Sequence, residues 1–421
     1  MSKRGAILIT GATGFLGSEL AVRLLRRDDD RRLLCLVRAD SARAGARRGL
    51  AALALALGRP LTAVEASRVS WLAADVEMPD LGLPPPVRRF LASGIEEIFH
   101  CAVSTRCDLP LGAARRINVD GVRTVHALAA EAAALGRFRR LHHVSTAYAA
   151  GRPRGRLDAQ VLPPDRPGRF RNTYERTMAE AERFLHRGSA VPTTIYRPSI
   201  IVGDSRTGRT SNWHGVYVLL GLMAAGRLPF VPGGGVARLD CVPVDYVADA
   251  ILALGAHTDS AGHTYHLTAG PAALTVPDVI RHTYAAIARH RCAPLCIGTR
   301  SVGRIRWWLI EQAYRLRVDG RARGLLGALR RYLPYARSSS VFDNTRESDL
   351  LAATGVQSPR PEDFFPRVVD YALANDFGRR RPQSSTAQDL THGSQLATRR
   401  EHREYREPCR GLMPASEREA V

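Results

Sequence analysis

The chain has 421 residues, a length that allows one large domain or a domain with an appended subdomain. Its formal net charge is +21, and nearly all of its cations are arginines because Lys3 is the only lysine. This charge attracts anionic partners, but the sequence has no zinc-finger spacing, no basic region with heptads and no aromatic RNA-binding signature. These features argue against nucleic-acid binding.

The sequence favours a protein of the cytoplasm. The longest apolar run, Val216 to Ala225, is far shorter than the roughly 20 residues that a membrane span requires. The seven cysteines show no Cys-x-x-Cys spacing, and no secretory signal precedes the first predicted strand. We therefore expect a cytoplasmic protein with no integral membrane segment. Peripheral contact with a membrane surface stays open as an alternative.

A glycine-rich turn follows the first apolar run of the chain. The run Ala6 to Thr10 predicts a buried strand, which leads directly into Thr10-Gly-Ala-Thr-Gly-Phe-Leu-Gly17. A helix is expected from about Phe15 to Leu25. Glycines three residues apart allow a tight turn and a close approach to a pyrophosphate, which the helix N-terminus then binds. The motif predicts a dinucleotide-binding site.

Strand and helix patterns alternate through the first half of the chain. Five more apolar runs predict strands at Leu33 to Val37, Val69 to Ala73, Glu97 to His100, Leu141 to Ser145 and Thr193 to Tyr196. Helical stretches lie between them: Ala113 to Leu135 has apolar residues at helical spacing, and Ala42 to Leu57 is rich in Ala and Leu with arginines among them. This alternation predicts an α/β fold, a doubly wound, Rossmann-like parallel sheet with ligands at the carboxyl ends of its strands.

The pattern loosens after about residue 200, which predicts a smaller C-terminal substrate subdomain. We expect an NAD(P)-binding, Rossmann-like domain over residues 1–270, with interleaved substrate-side segments from about 200. A substrate or lid region follows over 271–375. Residues 376–421 have few apolar side chains to bury and are expected to form a disordered tail.

The stretch Val302 to Leu316 combines apolar residues at helical spacing with Trp307 and Trp308. The arginines among them are Arg304, Arg306, Arg315 and Arg317. Such a stripe fits a helix that faces the core. It also fits a lid whose apolar face meets an acyl chain while its arginines meet phosphate groups.

Several strings beyond the glycine turn match the pattern of one enzyme family. They are His100-Cys-Ala-Val103, Val144-Ser-Thr-Ala-Tyr-Ala-Ala-Gly151 and Asn172-Thr-Tyr-Glu-Arg-Thr-Met-Ala-Glu-Ala-Glu182. Other features are specific to one branch of that family. One is the helical insert between Arg38 and Asp75, and the others are the strings Asp75-Val76, Leu81-Gly-Leu83, Tyr196-Arg-Pro-Ser-Ile-Ile-Val-Gly-Asp-Ser-Arg-Thr-Gly208 and Asp240-Cys-Val-Pro-Val-Asp-Tyr-Val247. The chain resembles the extended short-chain dehydrogenase/reductases, and within them the thioester reductase and fatty acyl-CoA reductase branch with its male sterility-type NAD-binding domain. The resemblance implies a role in lipid metabolism or in the release of acyl chains from carrier proteins.

The resemblance also implies which residues bind a dinucleotide cofactor. The glycine turn would hold the pyrophosphate through Thr10, Gly11, Thr13, Gly14, Phe15, Leu16 and Gly17. The other positions are Arg38 at the ribose, Asp75 and Val76 at the adenine, His100 and Ala102 along the cofactor, and Tyr174, Pro198 and Ile200 at the nicotinamide. Because an arginine after the second strand can pair with a 2′-phosphate, Arg38 favours NADP(H) over NAD(H).

One of the catalytic positions departs from the family pattern. Thr146 stands where a hydroxyl binds the substrate carbonyl, and Tyr174 stands where a tyrosine donates the proton. The family has a lysine four residues after this tyrosine, whereas this chain has Met178. Arg176 is no simple replacement, since two residues along a helix turn through about 200°. No His, Cys or Asp cluster has metal-ligand spacing, so no metal site is expected.

These observations predict an NADP(H)-dependent reductase that acts on an acyl thioester of coenzyme A or of an acyl carrier protein, or on a related carbonyl. The product would be an aldehyde or an alcohol, and Met178 would impair the activity. One alternative is a non-redox NADP-binding sensor or scaffold. A sugar-nucleotide epimerase or dehydratase is a third, disfavoured by the insert after Arg38 and by Leu81-Gly-Leu83. Gly203-Asp-Ser-Arg-Thr207 lacks the second glycine of a nucleophile elbow, which argues against a serine hydrolase.

Overall fold

The computed structural model describes residues 5–27, 31–162, 164–166, 168–187, 191–228, 230–232, 237–290, 299–303, 306–308, 312, 331–332, 334–335 and 338–379. The strands are β1 (Ala6–Thr10), β2 (Leu33–Val37), β3 (Val69–Ala73), β4 (Ile95–His100), β5 (Arg140–Val144), β6 (Gly155–Leu157), β7 (Thr193–Pro198), β8 (Ile200–Val202), β9 (Phe230–Pro232), β10 (Arg238–Leu239), β11 (Cys241–Pro243), β12 (Thr264–Leu267), β13 (Leu274–Thr275), β14 (Arg300–Val302) and β15 (Ser340–Phe342). The α-helices are α1 (Phe15–Arg26), α2 (Ala42–Leu57), α3 (Ala63–Ser67), α4 (Pro85–Gly94), α5 (Leu111–Arg115), α6 (Gly121–Ala134), α7 (Thr173–Leu185), α8 (Val216–Ala224), α9 (Val244–Ala256), α10 (Val276–His290), α11 (Thr345–Ala352) and α12 (Pro361–Ala374). A π-helical turn covers Arg116–Asp120, and short 3₁₀ turns cover Pro79–Gly82, Ala147–Ala150, Thr258–Ser260, Gly270–Ala272 and Asp376–Gly378. Among the residues that the structure describes, no helix is long and apolar enough to cross a membrane.

Seven parallel strands form the central sheet. Their order is β12-β7-β5-β4-β1-β2-β3, and every neighbouring pair runs in the same direction. From β1 the chain proceeds to β2 and β3 on one side and then crosses to β4 on the other side. The strand order reverses between β1 and β4, so a crevice opens at their carboxyl ends, where doubly wound sheets bind ligands. The predicted doubly wound, Rossmann-like α/β sheet is confirmed.

Helices cover both faces of this sheet because alternate strand residues point to opposite sides. Ile7 and Ile9 lie in one core cluster, together with residues of α1 and α9. Leu8 lies in a second cluster, together with residues of α4, α6 and α7. Burial on both faces explains why β1 reads as a continuous apolar run rather than an alternating one.

Most predicted boundaries lie close to the observed ones. The bounds of β1, β2, β3 and α2 are the predicted residues, those of β4 and β7 differ by two residues at one end, and those of β5 differ by one residue at each end. The stretch predicted as helical, Ala113 to Leu135, is not one helix, because the π-helical turn separates α5 from α6. This turn lets the buried Asn118 side chain bond to Ser104 and Thr177, a contact that apolar periodicity does not reveal.

The chain divides into two compact units. The first comprises the described residues of Met1–Asn212, Leu239–Leu274 and Ser339–Tyr371, and the second comprises those of Trp213–Arg238, Thr275–Ser338 and Ala372–Val421. Strand pairing and hydrogen bonds secure the last segment of the first unit. β15 pairs with β6, and Glu347 of α11 accepts a hydrogen bond from the His266 backbone N–H at 2.7 Å. The first unit is therefore assembled from three separate stretches of the chain.

The second unit has a small core of its own. Its buried apolar residues are Met223, Leu228, Val231, Ala237, Val276, Val302 and Trp307. Trp307 is enclosed there, whereas Trp308 is exposed, so the two tryptophans of the predicted stripe divide between core and surface. Residues 304, 315 and 317 of that stripe lie outside the described residues. The tail predicted over 376–421 begins with an ordered 3₁₀ turn at Asp376–Gly378, and its residues beyond 379 lie outside the described part of the chain.

Leu8 provides a test of the central core, since its side chain is completely buried. Leu8→Ala is expected to lower the free energy of unfolding by about 2–5 kcal/mol, because it removes buried methyl groups and leaves a cavity. The control is Leu135→Ala, at a position that is 59% exposed, for which we expect a change below about 0.5 kcal/mol. Urea denaturation measures both variants. Equal losses would contradict the placement of Leu8.

Candidate active site

The glycine-rich turn lies at the crevice between β1 and β4. Gly11 has a φ of +71°, and a Cβ there would lie 2.8 Å from the Ala102 backbone nitrogen. A Cβ on Gly17 would overlap the Gly11 carbonyl oxygen. Side chains are excluded at both positions because backbone packs directly against backbone. The turn therefore brings the start of α1 against the loop that follows β4.

The N-terminus of α1 has features that favour the binding of an anion. Its N-cap is Gly14, which offers no side chain to the first helical N–H groups, and no acidic residue lies in the first turn. Free N–H donors and the positive end of the helix dipole suit the diphosphate of a dinucleotide. The residues predicted to hold the pyrophosphate all lie on this turn or at its ends: Thr10, Gly11, Thr13, Gly14, Phe15, Leu16 and Gly17.

A hydrogen-bonded bridge joins β1 to the loop after β4. Thr10 Oγ1 lies 2.7 Å from His100 Nδ1 and accepts a hydrogen bond from the Ala102 backbone N–H at 3.2 Å. Burial, with a smaller contribution from His143, lowers the pKa of His100 to about 3. His100 is therefore neutral at physiological pH, and it fixes the crevice without adding charge to it.

The residues predicted to bind the adenosine end lie close together. Arg38 directly follows β2, its side chain is 73% exposed, and its Nη1 lies 3.2 Å from Glu77 Oε1. Asp75 Oδ1 accepts a hydrogen bond from the Glu77 backbone N–H at 3.0 Å. Val76 packs against α6, where a Cβ on Gly121 would lie 3.3 Å from its side chain. Glu77, which the sequence pattern does not reveal, links Arg38 to Asp75.

The two predicted hydroxyl groups meet at the carboxyl end of β5. Thr146 follows this strand and caps Ala147–Ala150 by accepting a hydrogen bond from the Tyr148 backbone N–H at 3.3 Å. Tyr174 lies in the first turn of α7, whose N-cap is Asn172, and the Thr146 hydroxyl is near enough to lower the pKa of its phenol. Burial raises the pKa of Tyr174 well above its usual value, and the nearby Thr146 only partly offsets the effect. The phenol keeps its proton at neutral pH.

Met178 is completely buried in an apolar cluster beside Tyr174. The other members are Val103, Ala149, Phe170 and Ala179. Arg176 pairs instead with Glu180 and Asp165, at 3.1 Å in each case. The observed pairing of Arg176 agrees with the helical rotation that separates it from the Tyr174 face.

Asn118 is a buried polar residue next to α7 that the sequence pattern does not single out. Its Nδ2 donates to Thr177 Oγ1 at 3.0 Å, and its Oδ1 accepts from the Ser104 backbone N–H at 2.8 Å. These bonds tie the π-helical turn to α7 and to the loop after β4. The available signal was an amide side chain between the apolar residues Ile117 and Val119, because such a residue needs a partner when buried.

The predicted nicotinamide positions lie at the same edge of the sheet. Pro198 ends β7 and Ile200 begins β8. The preceding residue, Arg197, forms a buried ion pair with Glu182 of α7, with Nη2 2.5 Å from Oε2. Charged residues within an apolar strand and on the buried face of a helix were the signal for this pair, since buried charges require partners.

The family of NAD-binding proteins described as male sterility protein matches residues 9–251. This stretch is more than half of the chain, and it includes the glycine turn, Thr146 and Tyr174. The chain belongs to this family. The resemblance to the extended short-chain dehydrogenase/reductases is thereby confirmed.

Several known proteins are similar to this chain. The terminal R domain from the myxalamid PKS-NRPS biosynthetic pathway is 27% identical with a TM-score of 0.75, and the match covers 90% of this chain and 93% of that domain. A linear gramicidin synthase of Brevibacillus parabrevis is 29% identical over 380 residues, which are 87% of this chain and 7% of the synthase polypeptide. Isonitrile lipopeptide synthase of Mycobacterium tuberculosis is 33% identical over 289 residues, 62% of this chain and 11% of that synthase. The chain thus spans a small part of the synthases and nearly all of the solved R domain.

Gly17→Ala tests the assignment of the glycine turn. The added methyl group would displace the Gly11 carbonyl, so we expect the affinity for NADPH to fall about tenfold or more. Gly94→Ala is the matched control, because Gly94 lies in α4 with open space around the Cβ position. Fluorescence titration measures both affinities. Unchanged NADPH binding by folded Gly17→Ala would contradict the assignment.

Proposed function

We propose that this chain reduces an acyl thioester with NADP(H) as the hydride donor and releases an aldehyde or an alcohol. The observation that carries the proposal is that Tyr174, in the first turn of α7, packs against the turn that Thr146 caps at the carboxyl edge of the sheet. Thr146 follows β5, which lies two strands away from β1 and its glycine turn. Membership of the male sterility family and similarity to an R domain support reductase chemistry.

The two hydroxyls have complementary tasks in this mechanism. Both donate hydrogen bonds to the carbonyl oxygen of the substrate, where negative charge develops as hydride adds to the carbon. When bound, the reduced nicotinamide supplies that hydride. Tyr174 then gives its phenolic proton to the oxygen. As the carbonyl re-forms, the carbon–sulfur bond breaks and the hydroxyl proton ends on the departing sulfur, so a thiol leaves and the first product is an aldehyde. A second hydride and a second proton would convert the aldehyde to an alcohol.

The surroundings of Tyr174 favour reduction over alcohol oxidation. Burial raises the pKa of the phenol, and the packed side chain of Met178 supplies no positive charge to lower it. Carbonyl reduction uses the protonated phenol, whereas alcohol oxidation needs the phenolate as a base. The high pKa also makes Tyr174 a weak acid. We therefore expect slow reduction, with part of the roughly 10²–10⁴-fold benefit of general acid catalysis lost.

The proposed substrate is an acyl group linked as a thioester to phosphopantetheine, on coenzyme A or on an acyl carrier protein. The net charge of +21 supports this assignment, because phosphate groups are attracted to a positive surface. The resemblance to the thioester reductase branch supports it as well. Arg38 supports NADP(H) as the cofactor, since its exposed guanidinium directly follows β2, and an arginine at the end of this strand can pair with a 2′-phosphate.

A second candidate function is that of a non-redox NADP-binding sensor or scaffold. The apolar packing of Met178 favours this alternative, because the glycine turn is intact while the proton-relay lysine of the family is absent. Incubation with NADPH and acyl-coenzyme A separates the two functions. Cofactor binding without turnover of any acyl thioester or aldehyde would support the sensor.

Restoring the lysine tests the catalytic assignment. Met178→Lys is expected to raise reductase activity about tenfold or more, because an ammonium beside Tyr174 favours the phenolate and strengthens the acid. Met178→Leu, which keeps the site apolar, is the control and should not gain activity. The rate of NADPH oxidation with acyl-coenzyme A measures the effect. If the unaltered protein is fast and Met178→Lys slows it, another group supplies the proton.

The same lysine should change the pH profile in a defined direction. In the unaltered protein the pKa of Tyr174 is raised, so the phenol stays protonated and reduction continues at alkaline pH. In Met178→Lys the pKa of the phenol falls. Activity should therefore decline at high pH as the phenol loses its proton, and identical profiles would argue against Tyr174 as the acid.

Arg38 is expected to select NADPH over NADH. A charge-assisted contact with a 2′-phosphate corresponds to a preference of about ten- to a hundredfold, which Arg38→Ala should abolish. Glu77→Gln should strengthen NADPH binding, because it removes the carboxylate now 3.2 Å from the guanidinium. Arg43→Ala on the exposed side of α2 is the control. Dissociation constants for NADPH and NADH measure this preference, and equal affinities in the unaltered protein would contradict the role of Arg38.

A further inference from the structure

Glu182 and Arg197 form an ion pair that is wholly enclosed in the first unit. Arg197 Nη2 lies 2.5 Å from Glu182 Oε2, and Arg197 Nε lies 3.0 Å from the same oxygen. Neither side chain has any exposed surface. Arg197 Nη1 donates to the Ala159 carbonyl at 2.8 Å. A pair with these bonds holds its elements in one arrangement, since any shift leaves a buried charge without its partner.

This ion pair connects three segments that converge on the candidate active site. Glu182 lies about two turns beyond Tyr174 on α7. Ser145, the residue before Thr146, donates a hydrogen bond to Glu182 Oε1. Arg197, the other partner of Glu182, lies near the carboxyl end of β7. A single carboxylate thus joins the helix that carries the phenol to the ends of two neighbouring strands.

We propose that Glu182 and Arg197 are positioning residues, which fix the Thr146 and Tyr174 hydroxyls relative to the nicotinamide end at Pro198. This inference rests on the proposed reductase function of the site. The hydroxyls must point at one carbonyl oxygen, and displacements of about 1 Å can cost a hundredfold in rate. In α7, Met178 stands in place of the family's lysine and forms no polar contact with the described strands of the sheet. The ion pair of Glu182 with Arg197 is a polar contact that fixes α7 to β7.

A purely structural role for the pair leads to a different expectation. Buried ion pairs can often be replaced by apolar residues of similar size without loss of stability, because the desolvation of two charges offsets their attraction. Apolar substitutes fill the volume but do not fix direction as hydrogen bonds do. If the pair serves stability alone, apolar substitutes keep both the fold and kcat. If it positions the hydroxyls, they keep the fold and lose kcat.

The test compares two double variants. Glu182→Met with Arg197→Met removes the pair beside the site. The control, Glu97→Met with Arg31→Met, removes a largely buried pair with charged atoms 2.6 Å apart, from the amino half of β4. We expect the first variant to lose about tenfold or more in kcat for NADPH-dependent reduction of acyl-coenzyme A, with KM changed by less than about threefold. The control should keep kcat, and thermal denaturation should show both variants folded.

Normal kcat in the folded Glu182 and Arg197 double variant overturns the proposal. If that variant does not fold, Ser145→Ala decides, because it removes only one hydrogen bond to Glu182. A kcat lowered about threefold or more at an unchanged melting temperature supports positioning. An unchanged kcat in Ser145→Ala then overturns it.

A readout without turnover separates this proposal from the proposed function. Bound NADPH fluoresces more strongly when its nicotinamide is held in an ordered site, whereas the glycine turn governs affinity. We expect the Glu182 and Arg197 double variant to keep its NADPH affinity and to lose most of the fluorescence enhancement, while the control keeps both. If the unaltered protein reduces no thioester, the reductase proposal fails and fluorescence alone decides. Equal enhancement in the unaltered protein and the double variant then overturns the positioning role.

Discussion

The backbone contact between Gly11 and Gly17 is the constraint on which the rest of the site depends. It forms only where two residues lack side chains, and it seats the first turn of α1 at the point where the strand order reverses. Thr10 extends this constraint to the end of β4 through His100 and Ala102. Two strand ends and a helix N-terminus are thereby held together. The hydroxyls at the end of β5 take their position relative to the glycine turn from the same sheet.

Met178 shows how one side chain can suit the fold and hinder the chemistry. An ammonium group in this apolar cluster would lose its hydration, which costs several kcal/mol for an unpaired ion. A thioether packs against Ala149 and Phe170 without that cost. The apolar surroundings that ease packing also keep the Tyr174 phenol protonated. The stability of α7 on the sheet and the strength of the acid therefore make opposite demands on this position.

The sequence predicts best those features whose causes are local. α2 is recovered at both ends because Ser41 caps its start and Gly58, with φ of +74°, ends it. The resemblance to a known family located Thr146 and Tyr174, which the structure brings together. The missed features depend on partners far apart in the chain. Examples are the π-helical turn, which serves Asn118, and the ion pair of Glu182 with Arg197, whose members come from different elements.

The return of the chain to the first unit at β15 also determines when that unit can finish folding during synthesis. Until residues 340–347 have left the ribosome, β6 has no strand partner and the His266 N–H has no carboxylate acceptor. A chain that stops before Ser340 would expose an unpaired strand edge, a surface from which β-aggregation starts. Completion of the cofactor-binding unit is thus delayed until most of the second unit has been translated.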